Sequence, residues 1–455
     1  MTKHVEPGER ERIPLSAALQ RLITEVSAGV AQRLASPAAS AQGGGHLLAS
    51  RVASTADRAL RRTLSETLTR DTLGVFVITG DIPAMWLRDS TTQLMPYLRL
   101  VRDSPDLAGL VAGVLQRQLW MLEHDSYANA FNAEPSGASY EPGDLHADPW
   151  VWEQKYEIDS IAFPLALAHR FWRETGRDDH LDARFREVAH SLLEQIALEQ
   201  HHEERSTYRF VRPGVLATET LERDGLGTPV GFTGMTWSGF RPSDDACTYG
   251  YNVPGNLMLA QSLLGLAEMA DDVWHDAPLA GRARDLSREL VTGVSAHGIT
   301  EHPRYGRVYA YEVDGLGGRV LMDDANMPSL LSLPLLAPDV IDAEVMAATR
   351  SFVLSAANPW FFSGTAAEGI GSPHTGPEKI WPIALAVQGL TTTDLAERFR
   401  LLEVLLDTDG GTGSMHESFH RDDPTRYSRA WFSWADSMFC ELALQTAAQA
   451  GTSSR

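Results

Sequence analysis

Cysteine is nearly missing from this chain, with only Cys247 and Cys440 in 455 residues. Two thiols cannot build the framework of a disulfide-stapled fold, and they read as buried free thiols. No apolar run reaches the length of a membrane span. The opening stretch, MTKHVEPGERERIPLSAALQRL, is charged where a secretory leader would be apolar. These absences predict a cytoplasmic protein with no membrane partner. Basic residues are also scarce: 39 Lys and Arg stand against 60 Asp and Glu, a formal charge of −21. So acidic a chain is unsuited to nucleic acid or anionic lipid, and suits a neutral or cationic substrate. No G-x-x-x-x-G-K-[ST] or G-x-G-x-x-G loop precedes a helix, and no G-x-S-x-G elbow occurs. No nucleotide, flavin or other cofactor is therefore expected.

What the chain does have is helical periodicity. Apolar residues recur at helical spacing over 13–34, 46–70, 90–102, 106–124, 160–175, 180–200, 255–270, 279–295, 343–357, 377–389, 393–406 and 428–448. Strand-like pieces are short, at 206–212 and at 307–313 ahead of the turn DGLGG. The small, flexible stretch SPAASAQGGG separates an N-terminal helix and linker, residues 1–45, from one continuous domain over 46–450. Six times a polar cluster with an acid, Asn or Trp precedes an apolar helical run: near Asp89, Asp159, Asn252, Asn326, Trp381 and Asp436. Six ordinary helix caps would look like this. So would the inner helices of an all-α toroid, an (α/α)6 barrel with small β-hairpin insertions, whose six hairpins gather their ends around one pocket.

One motif suggests a metallopeptidase. His416-Glu417-Ser418-Phe419-His420 spells H-E-x-x-H, which binds zinc when a helix sets both imidazoles on one face. The surroundings oppose a helix. Gly410, Gly411 and Gly413 precede the motif, and Asp422-Asp423-Pro424 follows it. Asp423 and Arg426 stand where the metzincin extension needs Gly and His, and Glu441 lies in an apolar run as an expected surface or capping acid. No metal is expected, which leaves Glu417 as a carboxylate on a Gly-rich loop.

The polar clusters carry the chemistry of a sugar site. Trp86-Leu87-Arg88-Asp89-Ser90 offers an aromatic face, a guanidinium and a carboxylate together, although Arg88 and Asp89 also read as a local ion pair. The loop from Trp237 to Asn256 adds Arg241, Asp244, Asp245, Tyr249 and Tyr251. Aromatic faces stack on pyranose rings, and fixed polar groups bind the hydroxyls. Two carboxylates then flank the glycosidic oxygen, one as acid and one as base or nucleophile. Asp244 or Asp245 is a candidate for the first, and Glu417 for the second. Asn326 and His374 are further candidate contacts. Glu153, Glu157, Asp159, Asp323, Asp324 and Glu378 are acids with either a hydroxyl-binding role or none.

Taken together, GDIPAMWLRDS, YEIDSIAFP, FTGMTWSGFRPSDDACTYGYNVPGN, DDANMPSLL, SPHTGPEKIWPIALA, GTGSMHESFH and YSRAWFSWADSMF closely resemble glycoside hydrolase family 125, in order over roughly residues 50–445. The resemblance implies an (α/α)6 barrel and an exo-acting, inverting, metal-independent α-mannosidase. Its substrate would be a mannose-containing oligosaccharide with a terminal α-1,6-linked mannose. It also implies a general acid in RPSDD, Asp244 or Asp245, a general base at Glu417, and sugar ligands at Arg88 and Asp89. Two rival expectations remain beside it: an inverting glycosidase of other sugar specificity on the same barrel, and a non-catalytic carbohydrate-binding protein.

Overall fold

The computed structural model describes residues 10–141, 144 and 148–452. Its principal helices run in chain order as α1 (Ala17–Leu34), α2 (His46–Glu66), α3 (Leu87–Thr92), α4 (Pro105–His124), α5 (Asp159–Thr175), α6 (Ala183–Glu199), α7 (Val253–Asp272), α8 (Ala277–Gly293), α9 (Leu333–Leu336), α10 (Ala343–Val353), α11 (Pro382–Leu390), α12 (Leu395–Asp407) and α13 (Ser433–Thr452), with single helical turns besides at Pro37–Ser40, His202–Arg205 and Glu222–Gly225. Odd-numbered helices from α3 onward form an inner ring, in which α5 packs on α3 and α7, and α13 on α11 and α3. Even-numbered helices from α2 lie outside, as α8 does against α7 and α12 against α11. This is the (α/α)6 barrel expected from the six clusters, with short hairpins inserted between helices.

Local chemistry explains where the helices begin. Ser104 and Asp182 each accept a hydrogen bond from an amide in the first turn of the outer helix they cap. The outer helices bury one face, whereas most of α7 and all of the first half of α13 are buried. Asn252 caps α7, its side chain accepting from Gly255 N at 2.8 Å. Asp89, Asp159 and Asp436 lie in the first turns of α3, α5 and α13 but commit their carboxylates elsewhere. Asp436, for example, accepts from Met415 N at 2.8 Å. These positions are therefore more than ordinary caps.

Several expected boundaries move. The helix expected over 90–102 stops at Thr92, and two single turns of 3-10 helix follow at Met95–Tyr97 and Val101–Asp103. Pro96, lacking an N–H, breaks the α-helical pattern there. The helix expected from 377 begins at Pro382, because Lys379–Ile380 pairs as a strand with Phe419–His420. Residues 206–212 form no strand: Phe210 N bonds Gly225 O in an irregular loop. The N-terminal segment is not set apart from the barrel. Leu19, Ile23, Val30 and Leu34 of α1 are buried in the common core, and α1 packs on α2 and α13.

Candidate active site

The inner-helix starts and their hairpins converge on a cavity of about 300 Å3, at the small end of ligand pockets. Trp86, Arg88 and Asp89 reach it from the start of α3, where Met85–Trp86 pairs with Ala130–Phe131 and that strand with Val151–Glu153. Asp244 enters from the loop ahead of α7, and Glu417 from beside the strand Ser418–His420. His374, Trp381, Phe432 and Trp434 complete an aromatic side. The lining carries five carboxylates (Asp89, Glu153, Glu219, Asp244 and Glu417) against four cationic residues (Arg88, Lys155, His374 and Arg429). A chain of charge −21 thus builds a nearly balanced pocket, which suits a neutral polar ligand.

Arg88 organises the floor of this cavity. It is 3% exposed, with Nη1 at 2.6 Å from Glu157 and 3.2 Å from Asp159, and Nη2 at 3.1 Å from Asp244. Its own neighbour Asp89 lies 3.4 Å from Nε. Burial pushes the Asp89 carboxyl up to about 6, against the pull of Arg88. Asp159 is likewise pushed up to about 6 by burial, opposed by Arg88. Burial also raises Glu157 well above the ordinary carboxyl value. Asp244 goes the other way: burial works to raise it, but Arg88, a hydrogen bond from Glu157 and the charge of Lys155 hold it below the usual range.

Asp244 and Asp245 are adjacent in sequence and face different partners. Asp244 has φ of 66°, a left-handed conformation that Asp tolerates. Its N–H closes a turn onto Arg241 O, and Arg241 N returns a bond to Asp245 O. Asp244 lines the cavity with 23% of its side chain exposed. Asp245 is buried, with Oδ1 at 3.2 Å from His374 Nδ1. Burial works against a charged His374, but Asp245, then Glu417 and Asp244, outweigh it and push the imidazolium up to about 9.

Of the other expected contacts, Asn326 lines the cavity, its amide donating to Asp324 at 3.0 Å. Trp237, Arg241 and Tyr251 do not line it. Trp237 is 1% exposed and stacks on His202 with centroids 3.6 Å apart. Arg241 pairs with Glu312 at 2.5 Å, and Tyr251 is buried in a strand against Val313. These three are packed in the interior, because large side chains in an aromatic-rich loop serve packing as readily as binding. Lining residues that the sequence left unremarked include Tyr140, Lys155, Glu219 and Arg429. Lys155 sits 2.8 Å from Glu219 and 3.3 Å from Glu153; its position two residues before Glu157 in a run of acids was the available signal.

Zinc ligation by H-E-x-x-H has no support in the geometry. The motif runs into a strand, not a helix. His416 stacks on Tyr427 with centroids 3.7 Å apart, and its ring nitrogens face the carbonyls of Arg429 and Asp409, each at 3.0 Å. Neither nitrogen is left for a metal. Glu441, expected at a surface or cap, is buried and holds Arg99 at 2.7 Å. Among the described residues Glu219, Asp245 and His374 cluster closely enough for one cation. Glu219 is already held by Lys155 and Arg212, and His374 by Asp245, so the cluster reads as an ion-pair network. Cys247 and Cys440 are free and buried, as expected. Among the described residues no helix is long and apolar enough to cross a membrane.

A helical toroid that brings paired carboxylates and tryptophans to one small cavity defines a glycoside hydrolase. The chain belongs to glycoside hydrolase family 125, described as metal-independent α-mannosidases, which it matches over residues 49–444. It is 41% identical to a metal-independent α-mannosidase of Streptococcus pneumoniae solved in a non-productive complex with α-1,6-mannobiose, with TM-score 0.88 over 95% of this chain and 99% of that one. It is 40% identical to the meiotically up-regulated gene 157 protein of Schizosaccharomyces pombe, over 81% of this chain and 76% of that one. A bacterial glucoamylase solved with acarbose shares the fold alone, at 12% identity and TM-score 0.52 over 80% of this chain and 49% of that one.

Proposed function

We propose that the protein is an exo-acting, inverting α-mannosidase that removes terminal, non-reducing α-1,6-linked mannose, with Asp244 as general acid and Glu417 as general base. The observation that carries this reading is the placement of Asp244 and Glu417 on one cavity, while Asp245 is turned into a buried contact with His374. The mannobiose held by the relative from Streptococcus pneumoniae supports the linkage. The small cavity suits a single terminal sugar better than the interior of a long chain. Arg88, Asp89 and Asn326 are placed to bind hydroxyls, and Trp86, Trp381 and Trp434 supply apolar faces.

Inversion needs one displacement. Asp244 protonates the leaving oxygen as the C1–O bond breaks. Glu417 takes a proton from the water that attacks C1 on the opposite face. No step draws on a metal. Two free thiols suit the reducing cytoplasm, where we place the enzyme.

Proton NMR of α-1,6-mannobiose with the enzyme in excess EDTA tests the reading. β-Mannose should appear first. α-Mannose first would make the enzyme retaining and recast Glu417 as a nucleophile. No mannose, with or without added zinc, would point to another sugar or to a binding protein.

A further inference from the structure

Four carboxylates, those of Asp89, Glu157, Asp159 and Asp244, surround the single guanidinium of Arg88. Full ionisation of all four would leave a large negative excess in a nearly dry site, which is prohibitively costly. At least one of them holds a proton, and the contacts select which. The Glu157 side chain is fully buried, with 0% exposed. Asn129 Nδ2 lies 3.2 Å from Glu157 Oε1 and 3.3 Å from Asp244 Oδ1, so one amide spans the two acids. Lys155 N donates to Asn129 Oδ1 at 3.2 Å, which fixes the amide's orientation. Burial raises Glu157, the charge of Asp244 beside it adds to the rise, and against burial Arg88 and Glu157 hold Asp244 low. Asp159 is closed in beside it, so Asp244, which opens on the cavity, is the route by which a Glu157 proton reaches a ligand.

We propose that Glu157 and Asp244 share one proton, which rests on Glu157 and is passed through Asp244 to the glycosidic oxygen. The inference rests on Asp244 being the general acid. In the free enzyme the ion pair with Arg88 keeps Asp244 anionic, which is the wrong state for an acid catalyst. Glu157 holds the missing proton one hydrogen bond away. As the C1–O bond breaks, its electron pair stays on the leaving oxygen. Glu157 passes its proton to Asp244, which hands it to that oxygen, so both carboxylates are left ionised. The proton that Glu417 removes from water goes to solvent, and one from solvent resets Glu157. Glu157 is thus a proton-supplying residue that never touches the sugar. Two carboxyls that cannot both ionise are a known way to hold a proton at neutral pH.

Glu157→Gln retains a donor toward Asp244 and supplies no proton. Its turnover of α-1,6-mannobiose should fall by about 10²-fold or more, the usual scale of acid catalysis. Turnover of 2,4-dinitrophenyl α-mannoside, whose leaving group needs no proton, should stay within about threefold of wild type. The alkaline limb of kcat/KM on mannobiose should move to lower pH, since Asp244 then holds the proton alone beside Arg88. Equal losses on the two substrates, or no loss on mannobiose, would overturn the proposal. Asp244→Asn run alongside separates the two readings. Loss on mannobiose with the aryl substrate spared keeps Asp244 as the acid whatever Glu157 does, and retained mannobiose turnover removes Asp244 itself. Should the Glu157 variant not fold, wild type decides. Infrared spectra of enzyme carrying 13C-carboxyl glutamate should show a protonated glutamic acid at pH 7 that shifts when mannose fills the cavity. Absence of that band would overturn the proposal.

Discussion

The guanidinium of Arg429 stands 3.7 Å from the Glu417 carboxylate, across the cavity wall. Arg429 holds φ of 47°, an uncommon backbone state for a long side chain, and is anchored by Asp81 at 2.8 Å and Thr79 at 3.0 Å. A cation fixed there faces the carboxylate proposed to take a proton from water. Arg429→Met keeps an unbranched apolar stem and removes the charge, together with its contact on Phe432. Turnover should drop about tenfold, a little over 1 kcal/mol of transition-state stabilisation. Steady-state kinetics on mannobiose checks this; unchanged kcat would mean that Arg429 only ties the hairpin to Asp81.

The acid and base are separable by isosteric substitution. Glu417→Gln should cut turnover by about 10³-fold while calorimetry still detects mannose binding. Asp244→Asn should do the same for mannobiose. Asp245→Asn should cost much less, because its carboxylate meets His374 and not the cavity. Should Asp245→Asn be the dead variant and Asp244→Asn the active one, the acid assignment reverses.

Much of this was legible in the sequence. The barrel followed from periodicity and from six polar clusters, of which five stand at the starts of inner helices. The cluster near Asn326 does not, because residues 326–332 are irregular before the short α9. The site was legible where a motif's neighbours in sequence are also neighbours in space, as for Trp86, Arg88 and Asp89. It was not legible where a fold turns adjacent residues apart. The left-handed backbone at Asp244 separates the roles of two acids that a pattern cannot tell apart. Nor does a string of letters show that Trp237 is covered by His202, or that Arg429, brought in by a hairpin, meets Glu417.

His416 gives the zinc question a second test. Its ring lies flat on Tyr427 and links the Asp409 and Arg429 carbonyls, so it braces the loop that carries Glu417. His416→Ala should lower stability by about 1–3 kcal/mol through the lost hydrogen bond to a backbone carbonyl and the lost stack. Urea unfolding measures it. EDTA should leave wild-type turnover unchanged, and elemental analysis of the purified enzyme should find no stoichiometric zinc. Loss of activity on chelation with recovery on zinc would restore the peptidase motif to consideration.

The Asp245–His374 pair sets a pH dependence with a defined sign. Against the cost of burial, Asp245, with Glu417 and Asp244, raises the folded-state value of His374 from 6.5 to about 9. A raised histidine stabilises the fold fully below its unfolded value, and that contribution is lost as pH rises through the folded value. The pair should therefore contribute most below about pH 6.5 and fade toward about pH 9. Asp245→Asn removes the carboxylate that holds the charge. The melting temperature of wild type should exceed that of Asp245→Asn most at pH 6, with the gap narrowing steadily to pH 9.5. Scanning calorimetry on both proteins across that range measures the gap. A gap that widened with pH would mean that His374 is neutral in the folded enzyme and that Asp245 is held by burial alone.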